Sequence, residues 1–277
     1  MNPWGFPLIL ATVLLLSGVA CQRSEEELQR LVDERIASAL PALPTSTASA
    51  QPTPPATVLA RSSQPGSSFK DIYSEVWPSV FKIETESNSG TGWMAGPGLI
   101  LTVQHLVAGE TSVVVRQANA PPMTARILGW DKTKDIALLE ITEGFEDMHI
   151  AVQQSGLPTG SVSTEDIASF VLAVGYSGTI GVTSFGGVGG ATANVGVLSQ
   201  ITNFGPQSYG LNLAIDAPVD PGDSGGPILN QAGEVIGMVR LARLNTGGQR
   251  VVGTFFGVHI DEIRKALPSL EAGMFSD

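Results

Sequence analysis

Pro221-Gly222-Asp223-Ser224-Gly225-Gly226-Pro227 sets one serine among three glycines, with a proline at each end. Such a run makes a poor helix or central strand. Glycine reaches φ values closed to other residues and admits a second backbone at close range, while proline fixes φ and removes a donor. The physical reading is a tight loop that holds one hydroxyl outward and aims backbone N–H groups at whatever the hydroxyl attacks. A nucleophile and an oxyanion hole would then come from the same few residues. The same composition also builds ordinary turns, so the chemistry depends on what stands upstream.

Working outward, the chain has 277 residues, of which 43% are hydrophobic and 15% charged, with 32 glycines and few aromatics. This suits a β-rich protein with many turns, built as one double-unit domain or two small ones. A net charge of −11 excludes a nucleic-acid partner, because no basic stripe exists to displace counterions. No lysine lies between Lys134 and Lys265, so the glycine-rich middle is not a Walker-type phosphate loop.

Short apolar runs separated by Gly, Pro, Asn and Asp predict strands over Val80–Glu84, Gly92–Ala95, Leu99–Val103, Ser112–Arg116, Thr124–Trp130 and Ile136–Ile141. A second series falls at Phe170–Val174, Ala193–Gln200, Gly210–Ile215, Pro227–Leu229, Glu234–Arg240 and Gly253–His259. About twelve such strands indicate an all-β fold of two six-stranded antiparallel barrels. Barrel one is expected over about 79–165 and barrel two over about 168–260, the globular domain running 69–277. A short helix over residues 69–77 is stopped by Pro78. A C-terminal helix is expected over Asp261–Leu267, with Arg264 and Lys265 in its last turn.

The N-terminal quarter reads differently. Pro3–Ala20 is almost wholly apolar and ends Leu16-Ser17-Gly18-Val19-Ala20-Cys21, a length suited to a signal-peptide core. Cys21 is the only cysteine, so no intramolecular disulfide forms. Small residues before a lone cysteine resemble a bacterial lipoprotein signal, which implies lipidation at Cys21. An uncleaved anchor and ordinary secretion are the other readings, since Met1-Asn2-Pro3 lacks a positive charge and Gly18 replaces a larger aliphatic residue. All three place the chain outside the cytoplasm, and the first two tether it to a membrane facing the periplasm or cell exterior. Ser24 and Glu27 form a capping box for a helix within residues 22–40. Arg35 interrupts its apolar face, favouring a stalk over a self-associating coil. Residues 41–68, rich in Pro, Ser, Thr and Ala with Arg61 as the lone charge, form a disordered linker spanning roughly 30 Å.

Of three histidines, His105, His149 and His259, His105 closes an apolar strand where the chain turns, a placement that suits a general base. Asp135 stands immediately before the apolar run Ile136-Ala137-Leu138-Leu139, where an orienting carboxylate would be planted. Alone, each also reads as an ordinary surface histidine or a turn-capping aspartate. Together with Ser224 they follow the order base, acid, nucleophile. The surrounding motifs are Thr91-Gly92-Trp93, Ile100-Leu101-Thr102 before His105, Asp135-Ile136-Ala137-Leu138-Leu139, and Asp216-Ala217 leading to Ser224. They resemble the HtrA/Deg branch of the trypsin-like (chymotrypsin-fold) serine proteases, over about residues 69–267. Val171-Leu172-Ala173-Val174-Gly175 and Val195-Gly196-Val197-Leu198-Ser199 resemble that family's opening strands of the second barrel.

The resemblance implies a serine endopeptidase acting on unfolded or exposed protein segments, with no cofactor and no metal. Ser224 would attack, His105 would carry the proton, Asp135 would orient the imidazole, and the N–H groups of Gly222 and Ser224 would hold the oxyanion. By analogy it also implies a homotrimer with contacts from Phe69–Trp77. Three departures stand out. Asp223 replaces the usual Asn; Phe255 replaces a glycine of the specificity-pocket wall, or is simply a core residue; and no PDZ domain follows. Pro218 occupies the pocket position that is acidic in trypsin-specific enzymes, so small or medium apolar residues are expected before the cut. Two other readings exist. Ser224, Glu234 and His259 have the α/β-hydrolase order, although strands rather than a helix follow Ser224. The chain could also be a catalytically silent protease-fold binding or sensor module.

Overall fold

The computed structural model describes residues 68–118, 120–145, 156–178, 189–203, 210–244 and 250–277. The segment containing Cys21, the expected helix over 22–40, the linker up to residue 67 and His149 lie outside the described residues. Both barrels belong to one compact unit, Ser62–Asp277.

The first barrel uses β1 (Val80–Glu84), β2 (Ser89–Gly96), β3 (Leu99–Thr102), β4 (Ser112–Arg116), β5 (Met123–Asp131) and β6 (Ile136–Glu143). They run β5-β4-β1-β2-β3-β6 and close through β5–β6 pairing. The second uses β7 (Phe170–Gly175), β8 (Thr192–Thr202), β9 (Asn212–Ile215), β10 (Pro227–Leu229), β11 (Val235–Leu244) and β12 (Arg250–His259), closed in the order β10-β11-β12-β9-β8-β7. The fold is therefore the expected pair of six-stranded antiparallel barrels, and most strands extend a residue or more beyond their apolar runs.

The period-2 alternation explains how the barrels pack. In β4, Val113 and Val115 are buried while Val114 is exposed. In β7, Val171 and Ala173 join Leu213, Ile215, Ile228 and Val239 inside barrel two. Their neighbours Leu172 and Val174 face the other way and join the cluster of Phe81, Trp93 and Leu138 from barrel one. Both faces of β7 are buried, and the space between the barrels is itself apolar core.

Helix α1 (Phe69–Val76) begins at Ser68, whose side chain forms a capping box with Asp71; Ser68, assigned to the linker from composition, is thus a helix cap. Trp77–Ser79 continues as a turn of 3-10 helix. A short helix, α2 (Gln104–Val107), follows β3 and carries His105. The C-terminal helix α3 (Ile260–Glu271) corrects the sequence expectation, because it runs through Pro268 instead of stopping at Leu267. Arg264 and Lys265 consequently sit in mid-helix. Burial of Ile263, Ala266 and Leu270 in the first core cluster carries the helix past the missing donor. Gly129 of β5 lets the chain approach, since a Cβ there would lie 2.6 Å from the Met274 carbonyl oxygen. An unforeseen two-residue strand, β13 (Phe275–Ser276), then pairs in parallel with Trp130 and Asp131, its Phe275 ring edge-on to Trp130 at 4.5 Å.

Candidate active site

Asp135 is set by the tight turn before β6, where Asp131 Oδ1 accepts the Lys134 N–H at 2.9 Å. Its own backbone is left-handed, φ 59°, a conformation that Asp tolerates better than most side chains. The carboxylate is 6% exposed and faces α2. Its Oδ1 accepts the backbone N–H of His105 at 2.9 Å, and its Oδ2 lies 2.9 Å from His105 Nδ1. An ionised acid at Nδ1 selects the tautomer with the proton on that nitrogen, leaving Nε2 as a free base. The imidazole side chain is 52% exposed.

Ser224 arrives from barrel two on the loop between β9 and β10. Gly222 (φ 105°) and Gly225 (φ 89°) both need the left-handed region. A Cβ on Gly225 would also collide with the Thr91 carbonyl oxygen. The loop is fastened to β2 of barrel one: the Thr91 N–H donates to the Ser224 carbonyl at 2.8 Å, and Thr91 Oγ1 donates to the Gly222 carbonyl at 2.6 Å. Thr91 Oγ1 also accepts the Tyr176 N–H at 2.8 Å, while Thr102 Oγ1 donates to the Thr91 carbonyl at 2.7 Å. Among the described residues, the N–H groups of Gly222 and Ser224 have no acceptor. They are the two donors that an oxyanion would need.

The Ser224 hydroxyl donates to the Arg240 carbonyl at 3.3 Å, and no hydrogen bond joins it to the imidazole among the described residues. Asp223, whose partner the sequence left open, is buried and accepts the Asp220 N–H on Oδ2 at 2.8 Å. Pro218 is exposed. Phe255 is buried in barrel two with Ile215, Ala217 and Val219. Glu234 is held by Asn230 Nδ2 at 2.9 Å, and His259 is buried and caps α3 by accepting the Asp261 N–H. Those two residues are thus engaged in local structure, and the two-barrel architecture is not that of an α/β-hydrolase.

Sequence reading missed the brace formed by Thr91 and Thr102, although both lay within motifs it quoted. It also missed Arg240, whose Nε lies 3.2 Å from Asp135 Oδ2. A charged residue directly after the apolar stretch Val235–Val239 was the available signal.

Residues 90–238 match the trypsin-like peptidase domain. The chain belongs to the trypsin-like peptidase family. Among curated members of this family, the serine protease Do-like HtrA of Lactobacillus helveticus is 32% identical over 195 residues, covering 66% of this chain and 42% of the relative. The serine endoprotease DegS of Haemophilus influenzae is 29% identical over 176 residues, covering 63% and 48%. A relative described as a DegP-like periplasmic serine endoprotease, from Ectopseudomonas mendocina, is 26% identical and covers 96% of this chain and 54% of its own length. The chain thus spans about half or less of these relatives. Among solved trypsin-like peptidases, the inactive form of the Rv3671c protease of M. tuberculosis superposes with a TM-score of 0.57 at 26% identity, covering 72% of this chain and 92% of that one.

Proposed function

We propose that this trypsin-like peptidase is a serine endopeptidase acting on unfolded or exposed protein segments through Ser224, His105 and Asp135. The observation that carries this reading is the paired contact of the Asp135 carboxylate with the main chain and Nδ1 of His105, together with the Gly222 and Ser224 N–H groups, which have no acceptor among the described residues.

In the proposed reaction the Ser224 hydroxyl turns from the Arg240 carbonyl toward His105, and its oxygen attacks the scissile carbonyl while Nε2 takes the proton. The developing oxyanion is held by the Gly222 and Ser224 N–H groups. The imidazolium, stabilised by Asp135, returns its proton to the departing amine, leaving an acyl-enzyme that water hydrolyses by the same steps in reverse order. No acidic group stands at Pro218, so the cut should follow small or medium apolar residues. Export, tethering to the membrane through the N-terminal segment with lipidation at Cys21, and homotrimer assembly complete the proposal. Similarity to periplasmic relatives supports export. Among the described residues no helix is long and apolar enough to cross a membrane.

Labelling with a fluorophosphonate, followed by digestion of an unfolded protein, tests the core of this reading. Adduct formation at Ser224 together with cleavage is expected; an unlabelled, folded protein without cleavage would favour the silent scaffold. The hydrogen bond of Ser224 to Arg240 instead of His105 is the observation on that scaffold's side.

A further inference from the structure

We propose that Arg240 is a positioning residue that ties the acid of barrel one to the nucleophile of barrel two and offsets the acid's charge. The inference rests on the proposed triad and goes beyond it. Arg240 lies on β11 and is 6% exposed, a rare state for a guanidinium unless its charge is paired. Its Nε meets Asp135 Oδ2 at 3.2 Å, on the same oxygen that faces His105 Nδ1. Its Nη1 meets Asn212 Oδ1 of β9 at 3.4 Å, and Asn212 is itself fixed by donation from Nδ2 to the Gly210 carbonyl at 3.0 Å. Its own carbonyl accepts the Ser224 hydroxyl. One residue therefore touches the acid with its side chain and the nucleophile with its main chain.

Two consequences follow. Geometrically, the Nε–Oδ2 contact links β11 of barrel two to the acid of barrel one, so a shift between the barrels would have to break a buried ion pair. Electrostatically, the charge of Asp135 is countered from behind, so a proton on the imidazole gains less from the acid than it would from an isolated carboxylate. The same pairing costs some stabilisation of the imidazolium during turnover. Asn212 is neutral; Lys134, next to the acid, pairs with Glu262 of α3 at 3.1 Å, and Glu262 also pairs with Lys265 at 3.0 Å. On the nucleophile loop, Asp223 is engaged by the Asp220 N–H.

The test uses the full chain and a quenched peptide that the wild type cleaves, with kcat and KM measured across pH for wild type, Arg240→Gln and Arg240→Lys. Wild-type protein that neither labels at Ser224 nor cleaves the peptide would sink the triad reading, a failure separate from any result with the variants. Arg240→Gln should lower kcat roughly ten- to a hundredfold with KM nearly unchanged, and move the acid limb of kcat/KM to higher pH. Arg240→Lys should keep the acid limb in place while recovering only part of kcat, because an ammonium cannot reproduce the fork. Identical pH profiles for the Gln and Lys variants, or an effect of Arg240→Gln on KM alone, would overturn the proposal. Where Arg240→Gln lacks a cooperative melt, Asn212→Asp replaces it. Its added carboxylate competes for Nη1, and an unmoved acid limb in that variant also overturns the proposal.

Discussion

Asp135 occupies a left-handed backbone conformation at φ 59°, which costs on the order of 1 kcal/mol for a residue with a Cβ. What offsets it is the set of donors converging on one buried carboxylate. Removing that charge while keeping the shape, as in Asp135→Asn, should lower kcat by roughly 10⁴. Ser224→Ala and His105→Ala should each cost roughly 10⁶, and steady-state kinetics on one peptide would rank all three. Thr91 offers a test of a different kind. Thr91→Val preserves shape but removes the partner of the Gly222 carbonyl and of the Tyr176 N–H. Two buried groups left unpaired should destabilise the fold by about 2–4 kcal/mol, read from urea unfolding, with a fall in kcat as the nucleophile loop loosens.

Among the elements, α3 shows how local signals are overridden. Its Pro268 and the charges of Arg264 and Lys265 all argued for an end at Leu267, yet the buried face of Ile263, Ala266 and Leu270 extends the helix to Glu271. The same helix is started by His259, whose Nδ1 accepts the Asp261 N–H at 3.1 Å. Burial holds the His259 imidazole below its ordinary value of 6.5, with Asp261 only partly opposing the effect. The unfolded chain therefore takes up that proton first, so stability should fall as pH drops below about 6.5 and level off once the folded protein also binds it. Urea midpoints between pH 7 and 5 would show this decline. His259→Asn, which keeps a capping acceptor, should flatten it over the same range; an equally steep decline in that variant would assign it to other groups.

For the molecule as a whole, the proposed site lies where the barrels meet, with the base and acid on one and the nucleophile on the other. Their shared apolar core, including Leu172 and Val174 of β7 with Trp93 of β2, is what keeps the two sets of side chains together. A peptide-library digest should give cuts after small or medium apolar residues, and efficient cleavage after Arg would refute that preference. The tether is testable separately: Cys21→Ser should move the protein from the membrane to the soluble fraction without changing its activity on a soluble peptide. Retention at the membrane would point to an uncleaved anchor.

Read alone, the sequence determined the twelve barrel strands and the tight glycine-rich loop around Ser224, because turn residues and alternating apolar positions act over a few neighbours and leave a local trace. The motifs that carry His105, Asp135 and Ser224, the residues of the proposed triad, were legible for the same reason, each being short. The brace of Thr91 and Thr102, the extension of α3 through a proline, β13, and the meeting of Arg240 with Asp135 were decided only by tertiary structure. Arg240 and Asp135 are 105 positions apart in the chain, and nothing local records which buried charge a distant arginine will face. Only the closure of two barrels against one another sets that partner.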